Sequence, residues 1–280
     1  MKNILDAITT LIQRNNFNLS NFHVSKNRIN EVGYALEDYV KNLFADTFDC
    51  LESERLEIWS EIFSYLGNDA NPPDIMIKNG DAIEVKKIQT NDAALALNSS
   101  YPKQILSAEN PMISNACRNA EIWSEKDLIY VVGVVHEMKI KSLCMIYGRD
   151  YCAADECYNK IRQKIKSGVE EISGVEFAQT REFGRVNRVD PLGITYLRIR
   201  GMWHIENPWK VFSYIYQRNF RADFNFMCVI NLDKWNSFEN RQKLFELQKK
   251  FPALKILDVK IKNPDNPAKL NNAKLICYEI

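Results

Sequence analysis

No run of about twenty apolar residues, the length needed for a membrane-spanning helix, occurs in this sequence of 280 residues. Internal repeats, low-complexity segments and a clear interdomain linker are also lacking. The amphipathic first residues carry an acid, Asp6, and no small-residue cleavage site, so they do not resemble a signal peptide. These absences favour a soluble globular protein with a single domain over residues 1–280.

Histidine and cysteine are too few or too scattered to form a recognisable functional site. The three histidines, His23, His136 and His204, lie far apart in the sequence and predict neither a metal site nor a catalytic triad. The seven cysteines are odd in number and form no disulfide framework, which is typical of a reducing cytoplasm. Cys152 and Cys157, the closest pair, lack partners at zinc-ligand spacing and are interpreted as packing residues.

Neither sign of charge is in excess, since 37 Lys and Arg residues accompany 36 Asp and Glu residues. This balance argues against a purely electrostatic nucleic-acid binder, but a sequence-specific DNA enzyme can be neutral if its positive charge is concentrated. Residues 180–208 show such a concentration, with five arginines against three acids. Arginine reads guanine edges and clamps phosphates through paired hydrogen bonds. The five are Arg181, Arg185, Arg188, Arg198 and Arg200.

The stretch 71–86 predicts a β-hairpin that gathers three charged side chains. Asn79-Gly80 is a strong turn signal between an apolar strand that contains Asp74 and a second strand of alternating pattern. Glu84 and Lys86, two residues apart on that second strand, point to the same face. Because the chain folds back at the turn, Asp74 lies opposite them, and two carboxylates and one ammonium converge.

These three side chains suit metal-assisted hydrolysis of a phosphodiester. Two carboxylates can hold Mg²⁺, which binds one or two protein carboxylates and gives a water nucleophile at neutral pH. A lysine beside the metal can position that water or neutralise developing charge. Pro73-Asp74 followed by Glu84-Val85-Lys86 resembles the PD-(D/E)xK nuclease signature. The alternative is an exposed strand face with a weak ion pair. Two other acid-x-Lys triplets, at 137–139 and 258–260, lack a Pro-Asp ahead of them.

Three helices, at residues 1–15, 34–45 and 52–66, are predicted before the hairpin, the third ending at Gly67. On the second helix Glu37 leans over the apolar side, where a carboxylate requires a partner. Two interpretations remain open for Glu37. It is either a capping or salt-bridge residue at the helix rim, or a third carboxylate directed at the metal site.

Two further segments supply candidate DNA contacts. The polar segment after the hairpin, interrupted by Pro102, is either a surface loop or a segment that enters a DNA groove. In the second segment, alternation places Arg198 and Arg200 on one strand face, and an ion-paired surface strand is the alternative. The candidate DNA-binding residues are Asn98, Ser99, Ser100, Lys103, Arg185, Asn187, Arg188, Asp190, Arg198 and Arg200.

The remaining pattern predicts an α/β fold with a mixed central β-sheet flanked by helices. The helix at 155–169 has a basic face that we expect to be solvated. Strands are predicted at 128–135, 140–147, 226–232, 254–262 and 275–280, and helices at 155–169 and 238–250.

Four blocks of sequence resemble type II restriction endonucleases of the NgoPII family. The resemblance implies the PD-(D/E)xK restriction-endonuclease-like fold and Mg²⁺-dependent cleavage of double-stranded DNA at a short palindrome, GGCC by family analogy. It also implies a homodimer in a bacterial restriction-modification system, whose cognate methyltransferase is a genetic and not a physical partner. The blocks are Gly33–Asp38, Pro72–Asp74 with Ile83–Lys86, Leu97–Lys103, and Gly184–Trp203 with Asn207-Pro208.

In this interpretation Asp74, Glu84, Lys86 and Glu37 are the catalytic residues, and Asp74 and Glu84 bind the metal. A repair or recombination nuclease with the same core is an alternative within the enzyme class. A DNA-binding protein that has lost catalysis is a second alternative, against which the intact Asp74, Glu84 and Lys86 argue. A protein-interaction domain is a third, and it leaves the arginine cluster unexplained.

Overall fold

The computed structural model describes residues 1–20, 28–68 and 71–280. The helices of these residues are α1 (Ile4–Arg14), α2 (Arg28–Ala45), α3 (Glu52–Ile62), α4 (Asn115–Arg118), α5 (Gly148–Tyr151), α6 (Asp155–Glu170), α7 (Pro208–Val211), α8 (Leu232–Ser237) and α9 (Arg241–Lys250). The strands are β1 (Phe63–Asn68), β2 (Asn71–Ile77), β3 (Ala82–Ile88), β4 (Leu95–Asn98), β5 (Ile105–Ser107), β6 (Glu125–His136), β7 (Lys139–Tyr147), β8 (Glu176–Phe177), β9 (Gly184–Asn187), β10 (Leu197–Ile199), β11 (Trp203–Ile205), β12 (Asn225–Asn231), β13 (Leu254–Lys262) and β14 (Leu270–Glu279).

A mixed β-sheet forms the centre of the fold. Its strands run in the order β1-β2-β3-β6-β7-β12-β14-β13, and β5 pairs with β6. The pairs β3–β6 and β7–β12 are parallel, and the others are antiparallel. The predicted α/β fold with a mixed central sheet flanked by helices is therefore confirmed.

Both faces of the central strands are buried. Along β6, Ile129 and Val131 belong to a hydrophobic cluster on one face, whereas Tyr130 and Val132 belong to a second cluster on the other face. Residues of α1, α2 and α9 cover the first face, and Trp209 of α7 packs into the second cluster. A continuous apolar run, such as the one that predicted β6, is typical of a strand that is covered on both sides.

Two small sheets lie outside the central one and carry the candidate DNA-binding segments. The first has the strand order β10-β9-β8 and contains the arginine segment. The second pairs β11 with β4, with Asn98 opposite Trp203. The segment after the hairpin, predicted as an irregular polar loop, therefore includes β4 and β5. Among the described residues, the structure has no helix that is both long and apolar enough to span a membrane.

The prediction that the third helix extends to residue 66 is wrong. The helix α3 ends at Ile62, and β1 follows directly and pairs with β2. Alternate residues of β1, Phe63 and Tyr65, are buried, so the burial follows the period of a strand. Gly67 does not cap a helix. A Cβ there would lie 2.6 Å from the carbonyl oxygen of Pro73 and 2.8 Å from the Cα of Asp74, so the glycine permits close approach of β1 to β2.

Other boundaries differ as well. The predicted helix at 238–250 is α9, which begins at Arg241. A further short helix, α8, precedes it and was not predicted; the side chain of Asn231 accepts the N–H of Lys234 at 2.8 Å and caps it. The second helix begins at Arg28, within the segment predicted as loop. His23 and the rest of the polar segment at 21–27 lie outside the described residues.

Candidate active site

The predicted hairpin at 71–86 is present and forms the framework of the site. Strands β2 and β3 are antiparallel, with Ile75 paired to Ile83. The turn is closed by a hydrogen bond of 2.9 Å from the N–H of Gly80 to the carbonyl of Ile77, and Asn79 adopts a positive φ of 58°. Asn tolerates this backbone conformation better than most residues, which explains why the turn forms there.

Asp74, Glu84 and Lys86 meet beside this hairpin. Oδ2 of Asp74 accepts a hydrogen bond of 2.6 Å from the backbone N–H of Val85, the residue between the other two. Nζ of Lys86 donates to Oε1 of Glu84 at 2.6 Å. The side chains of Glu84 and Lys86 are 13% and 23% exposed, so this ion pair is largely shielded from water. The solvated ion pair of the alternative interpretation therefore does not describe this face.

The electrostatics of the three groups are coupled. Burial raises the pKa of Asp74 well above its usual value, and the negative charge of Glu84 raises it further, against the opposing effect of Lys86. Burial lowers the pKa of Lys86, but the charges of Glu84 and Asp74 outweigh burial and raise it. The lysine is thus held as an ammonium, and the two carboxylates repel each other.

The donor set fits a hard divalent cation. Oε2 of Glu84 is buried and has no hydrogen-bond partner among the residues that the structure describes. A buried carboxylate oxygen without a partner is costly, and a cation shared with Asp74 would satisfy it and relieve the repulsion. In the described part of the chain, no group of three or more His, Cys, Asp or Glu side chains is placed to hold a metal. Two carboxylates are the set that Mg²⁺ takes while keeping several waters.

Glu37 reaches this site through its charge. It lies on α2, next to Leu36. The side chain of Leu36 packs so closely on Gly133 of β6 that a Cβ on this glycine would lie only 2.7 Å from Leu36 Cδ2. Because β6 is the neighbour of β3, α2 is held close to the strand that carries Glu84. The charge of Glu37 contributes to raising the pKa of both Asp74 and Lys86. Its role as a third carboxylate of the site stays a prediction.

A cavity of about 790 Å³ opens beside the three residues. It brings together five of the residues predicted to bind DNA, from two distant parts of the chain. It also contains Glu182, Arg181 and Met112, to which the sequence pattern assigned no separate role. The predicted DNA-binding residues in its lining are Asn98, Ser99, Ser100, Arg198 and Arg200.

Lys103 does not line this cavity, and its predicted contact with a phosphate is not supported by its position. The residue is only 2% exposed. Its ammonium donates to the Ser100 hydroxyl and, at 3.0 Å, to the carbonyl of Tyr101. Burial lowers its pKa to about 8. Lys103 therefore braces the segment that carries Ser99 and Ser100 from inside the protein, and its contact with DNA stays a prediction.

The other four predicted DNA-binding residues also lie outside the lining of the cavity. Arg185 stacks over the ring of Tyr196 at 4.8 Å, and Arg188 forms a loose ion pair with Glu176 at 3.8 Å. Asp190 uses both carboxylate oxygens to accept backbone N–H groups of its own loop, those of Leu192 and Thr195, so it has a local structural role. Asn187 lies at the end of β9.

Glu182 binds two of the arginines that line the cavity, Arg198 and Arg200. Its carboxylate accepts two hydrogen bonds from Arg198, at 3.0 Å from Nε and 2.5 Å from Nη2, and one from Nε of Arg200 at 2.7 Å. The hydrogen bond from Arg198 is the main reason that the pKa of Glu182 lies below its usual value. The two arginines share one face, as the alternation predicted, and they are ion-paired there. Glu182 lies sixteen and eighteen residues before these arginines in the sequence, so the sequence pattern did not identify it as their partner.

Comparison with known proteins gives one consistent result. Residues 2–262 match the NgoPII restriction endonuclease family. The chain is 57% identical over 279 residues to the type II restriction enzyme NgoPII of Neisseria gonorrhoeae, an alignment that covers 99% of this chain and 100% of the relative. No solved structure matches it. The match spans both the hairpin with Asp74, Glu84 and Lys86 and the segment with the arginines, and the chain belongs to the NgoPII restriction endonuclease family of type II restriction enzymes, which are site-specific deoxyribonucleases.

Proposed function

We propose that this enzyme hydrolyses DNA with Mg²⁺ held by Asp74 and Glu84. The observation that carries the proposal is Oε2 of Glu84, which is buried, has no hydrogen-bond partner among the described residues, and belongs to a carboxylate whose charge acts on Asp74. When bound, the metal would polarise the scissile phosphate and activate a water. This is the chemistry that a type II restriction enzyme needs at neutral pH.

The protein's own groups have separate tasks in this proposal. The N–H of Val85 fixes the orientation of Asp74, so this ligand is in place before substrate arrives. Glu84 holds the Lys86 ammonium with one oxygen and keeps the other for the metal. Lys86, held in its charged form, donates to the attacking water or to the phosphate oxygen on which negative charge develops. Glu37 adds negative charge that favours a cation in the site.

Duplex DNA would lie in the cavity that these residues line. In its lining, Asn98, Ser99 and Ser100 offer short polar donors and acceptors, and Arg198 and Arg200 offer guanidinium groups. Small polar side chains reach base edges or phosphates at close range, and arginine prefers guanine. An arginine-rich segment suits the guanine-rich palindrome GGCC, which we propose as the recognition site.

We further propose a homodimer and a single endonuclease domain. One chain carries one candidate site, whereas a palindrome presents two scissile phosphates related by a two-fold axis that a symmetric dimer can match. The central sheet includes strands from β1 near residue 63 to β14 near residue 279, and α1 packs with α9, so the chain offers no point of division. The cognate methyltransferase would protect the same sequence and need not bind this chain.

Digestion of plasmid DNA tests this function. The purified protein is incubated with plasmid in Mg²⁺, and in EDTA as a control, and the product ends are sequenced. Discrete fragments that end in one palindrome support the proposal and identify the site and the cut position. A smear without common ends would indicate a repair-type nuclease, and intact plasmid with a gel shift would indicate a binder without catalysis.

A further inference from the structure

We infer that Arg200 is the arginine that reads a guanine and that Glu182 is the positioning residue that orients it. This inference rests on the proposed function, since it assumes that duplex DNA occupies the cavity. It goes further because it assigns different roles to Arg198 and Arg200, although both bind the same carboxylate. Neither residue is placed in the catalytic chemistry.

The hydrogen bonds of the two guanidinium groups are unequal. Arg198 uses Nε and Nη2 on the two oxygens of Glu182, the paired geometry that arginine forms with a carboxylate. Arg200 uses only Nε, at 2.7 Å. Within the described residues, the two terminal nitrogens of Arg200 donate no hydrogen bond, and its side chain is 55% exposed. The free pair of terminal nitrogens is the fork that matches O6 and N7 of guanine.

Glu182 is held firmly enough to orient this fork. Its side chain is only 16% exposed, and its backbone N–H donates to the hydroxyl of Thr180 at 3.1 Å. The next residue, Phe183, donates its N–H to the carbonyl of Ile199 at 3.1 Å, so the segment with Glu182 is tied to the strand that leads into Arg200. Arg198 fixes the carboxylate, and the carboxylate fixes Nε of Arg200.

Charge favours a base over a phosphate as the partner of Arg200. One carboxylate neutralises half of the positive charge of the two arginines, and a carboxylate beside a phosphate site repels the ligand. A site for phosphate gains from uncompensated charge, whereas reading a base edge requires a fixed orientation of the fork. Glu182 thus reduces the net positive charge beside Arg200 and fixes the orientation of its guanidinium group, as recognition of a base edge requires.

Binding in Ca²⁺, which blocks cutting, tests the inference with two duplexes, one containing the site mapped from the plasmid ends and one scrambled. Arg200→Lys keeps the charge and removes the fork, and we expect it to weaken binding to the site by about 5- to 150-fold while binding to the scrambled duplex changes less than about twofold. Glu182→Gln should weaken binding to the site by about tenfold and leave the scrambled duplex unaffected or bound more tightly. The double variant should bind the site no worse than Arg200→Lys alone, because both changes remove one interaction.

The control is Glu206→Gln, which makes the same change of charge in an exposed ion pair with Lys210 that does not line the cavity. It should bind both duplexes like the wild type. Wild-type affinity of Arg200→Lys for both duplexes would overturn the inference, because any positive charge would then suffice. Equal tightening of both duplexes by Glu182→Gln would also overturn it, because Glu182 would then compete with DNA. A wild-type protein that does not distinguish the duplexes would contradict the proposed function itself.

Discussion

Asp74 accepts the backbone N–H of Val85 at 2.6 Å, and this bond joins the carboxylate of one hairpin strand to the residue between Glu84 and Lys86 on the other. The three groups of the site are therefore positioned by one local element. Glu37 of the distant helix α2 adds its negative charge to the surroundings of the site. The positions of Asp74, Glu84 and Lys86 themselves depend on the register of β2 and β3.

Asp74→Asn should separate the catalytic role of this carboxylate from its structural role. The amide oxygen can still accept the N–H of Val85, whereas the charge that would hold the metal is lost. We expect cleavage to fall by more than about 100-fold, since even indirect supports of a metal ligand are worth about 10- to 100-fold. The melting temperature in EDTA should not fall, because the repulsion by Glu84 that raises the pKa of Asp74 is removed.

The matched control for this variant is Asp258→Asn. Asp258 belongs to another acid-x-Lys triplet, on β13, and its exposed side chain pairs with Lys274 at 2.6 Å. Its substitution should leave cleavage unchanged. Full activity of Asp74→Asn would show that the hairpin carboxylate is not a metal ligand.

Gly67→Ala should both destabilise the protein and impair cleavage. The new methyl group would lie within 2.6–2.8 Å of backbone atoms of Pro73 and Asp74, and backbone cannot move aside as a flexible side chain does. We expect a loss of about 1–3 kcal/mol in the free energy of unfolding. Urea denaturation measures it.

Gly168→Ala is the comparison for this variant. Gly168 lies in α6, and a Cβ there has no neighbour within 4 Å among the described residues. Alanine should stabilise that helix by up to about 1 kcal/mol. If the two variants had equal stability, β1 would not approach the hairpin as closely as the structure shows.

Lys103→Met tests whether Lys103 acts inside the protein or on DNA. A lysine that contacts phosphate contributes about one unit to the slope of log affinity against log salt concentration. Because its ammonium is buried on Ser100 and Tyr101, we expect the variant to keep the wild-type slope. A slope reduced by one unit would place the ammonium on the DNA.

The stability of Lys103→Met should also differ from that of the wild type in its dependence on pH. Burial lowers the pKa of Lys103 from its ordinary value of 10.5 to about 8, so the charged form is disfavoured in the folded state. That penalty is present in full below about pH 8 and disappears as the pH rises toward 10.5. The wild type should therefore gain stability relative to the variant across this range in urea titrations. Lys260→Met, at an exposed position of β13, is the matched control for the change of residue type.

Local signals in the sequence were sufficient for the hairpin and for most strands. The Asn79-Gly80 turn and the alternation around Glu84 act over a few residues, and the structure has both. The end of α3 was predicted wrongly, because the helix has a weak amphipathic pattern and the strand that follows forms only by pairing with β2.

The parts of the site that were not predicted depend on contacts between distant segments. Nothing in the sequence around Lys103 shows that it packs against Tyr130 and Tyr101. Its neighbours Ser99 and Ser100, which have a similar sequence context, do line the cavity. The pairing of Glu182 with two arginines requires the chain to return to it after sixteen residues. A pattern along the sequence identifies residue types that suit DNA, but only the fold shows which of them face the cavity.

The most direct test of the catalytic assignment is cleavage by Lys86→Ala measured together with its binding. Lys86 shares a strand face with Glu84, and in the proposed function it serves the water or the transition state, so its loss should not affect the ground-state complex. We expect no detectable cleavage of the mapped site in Mg²⁺, with an affinity for the same duplex in Ca²⁺ within about threefold of the wild type. Near-normal turnover by Lys86→Ala would contradict the assignment of Asp74, Glu84 and Lys86 as the active site.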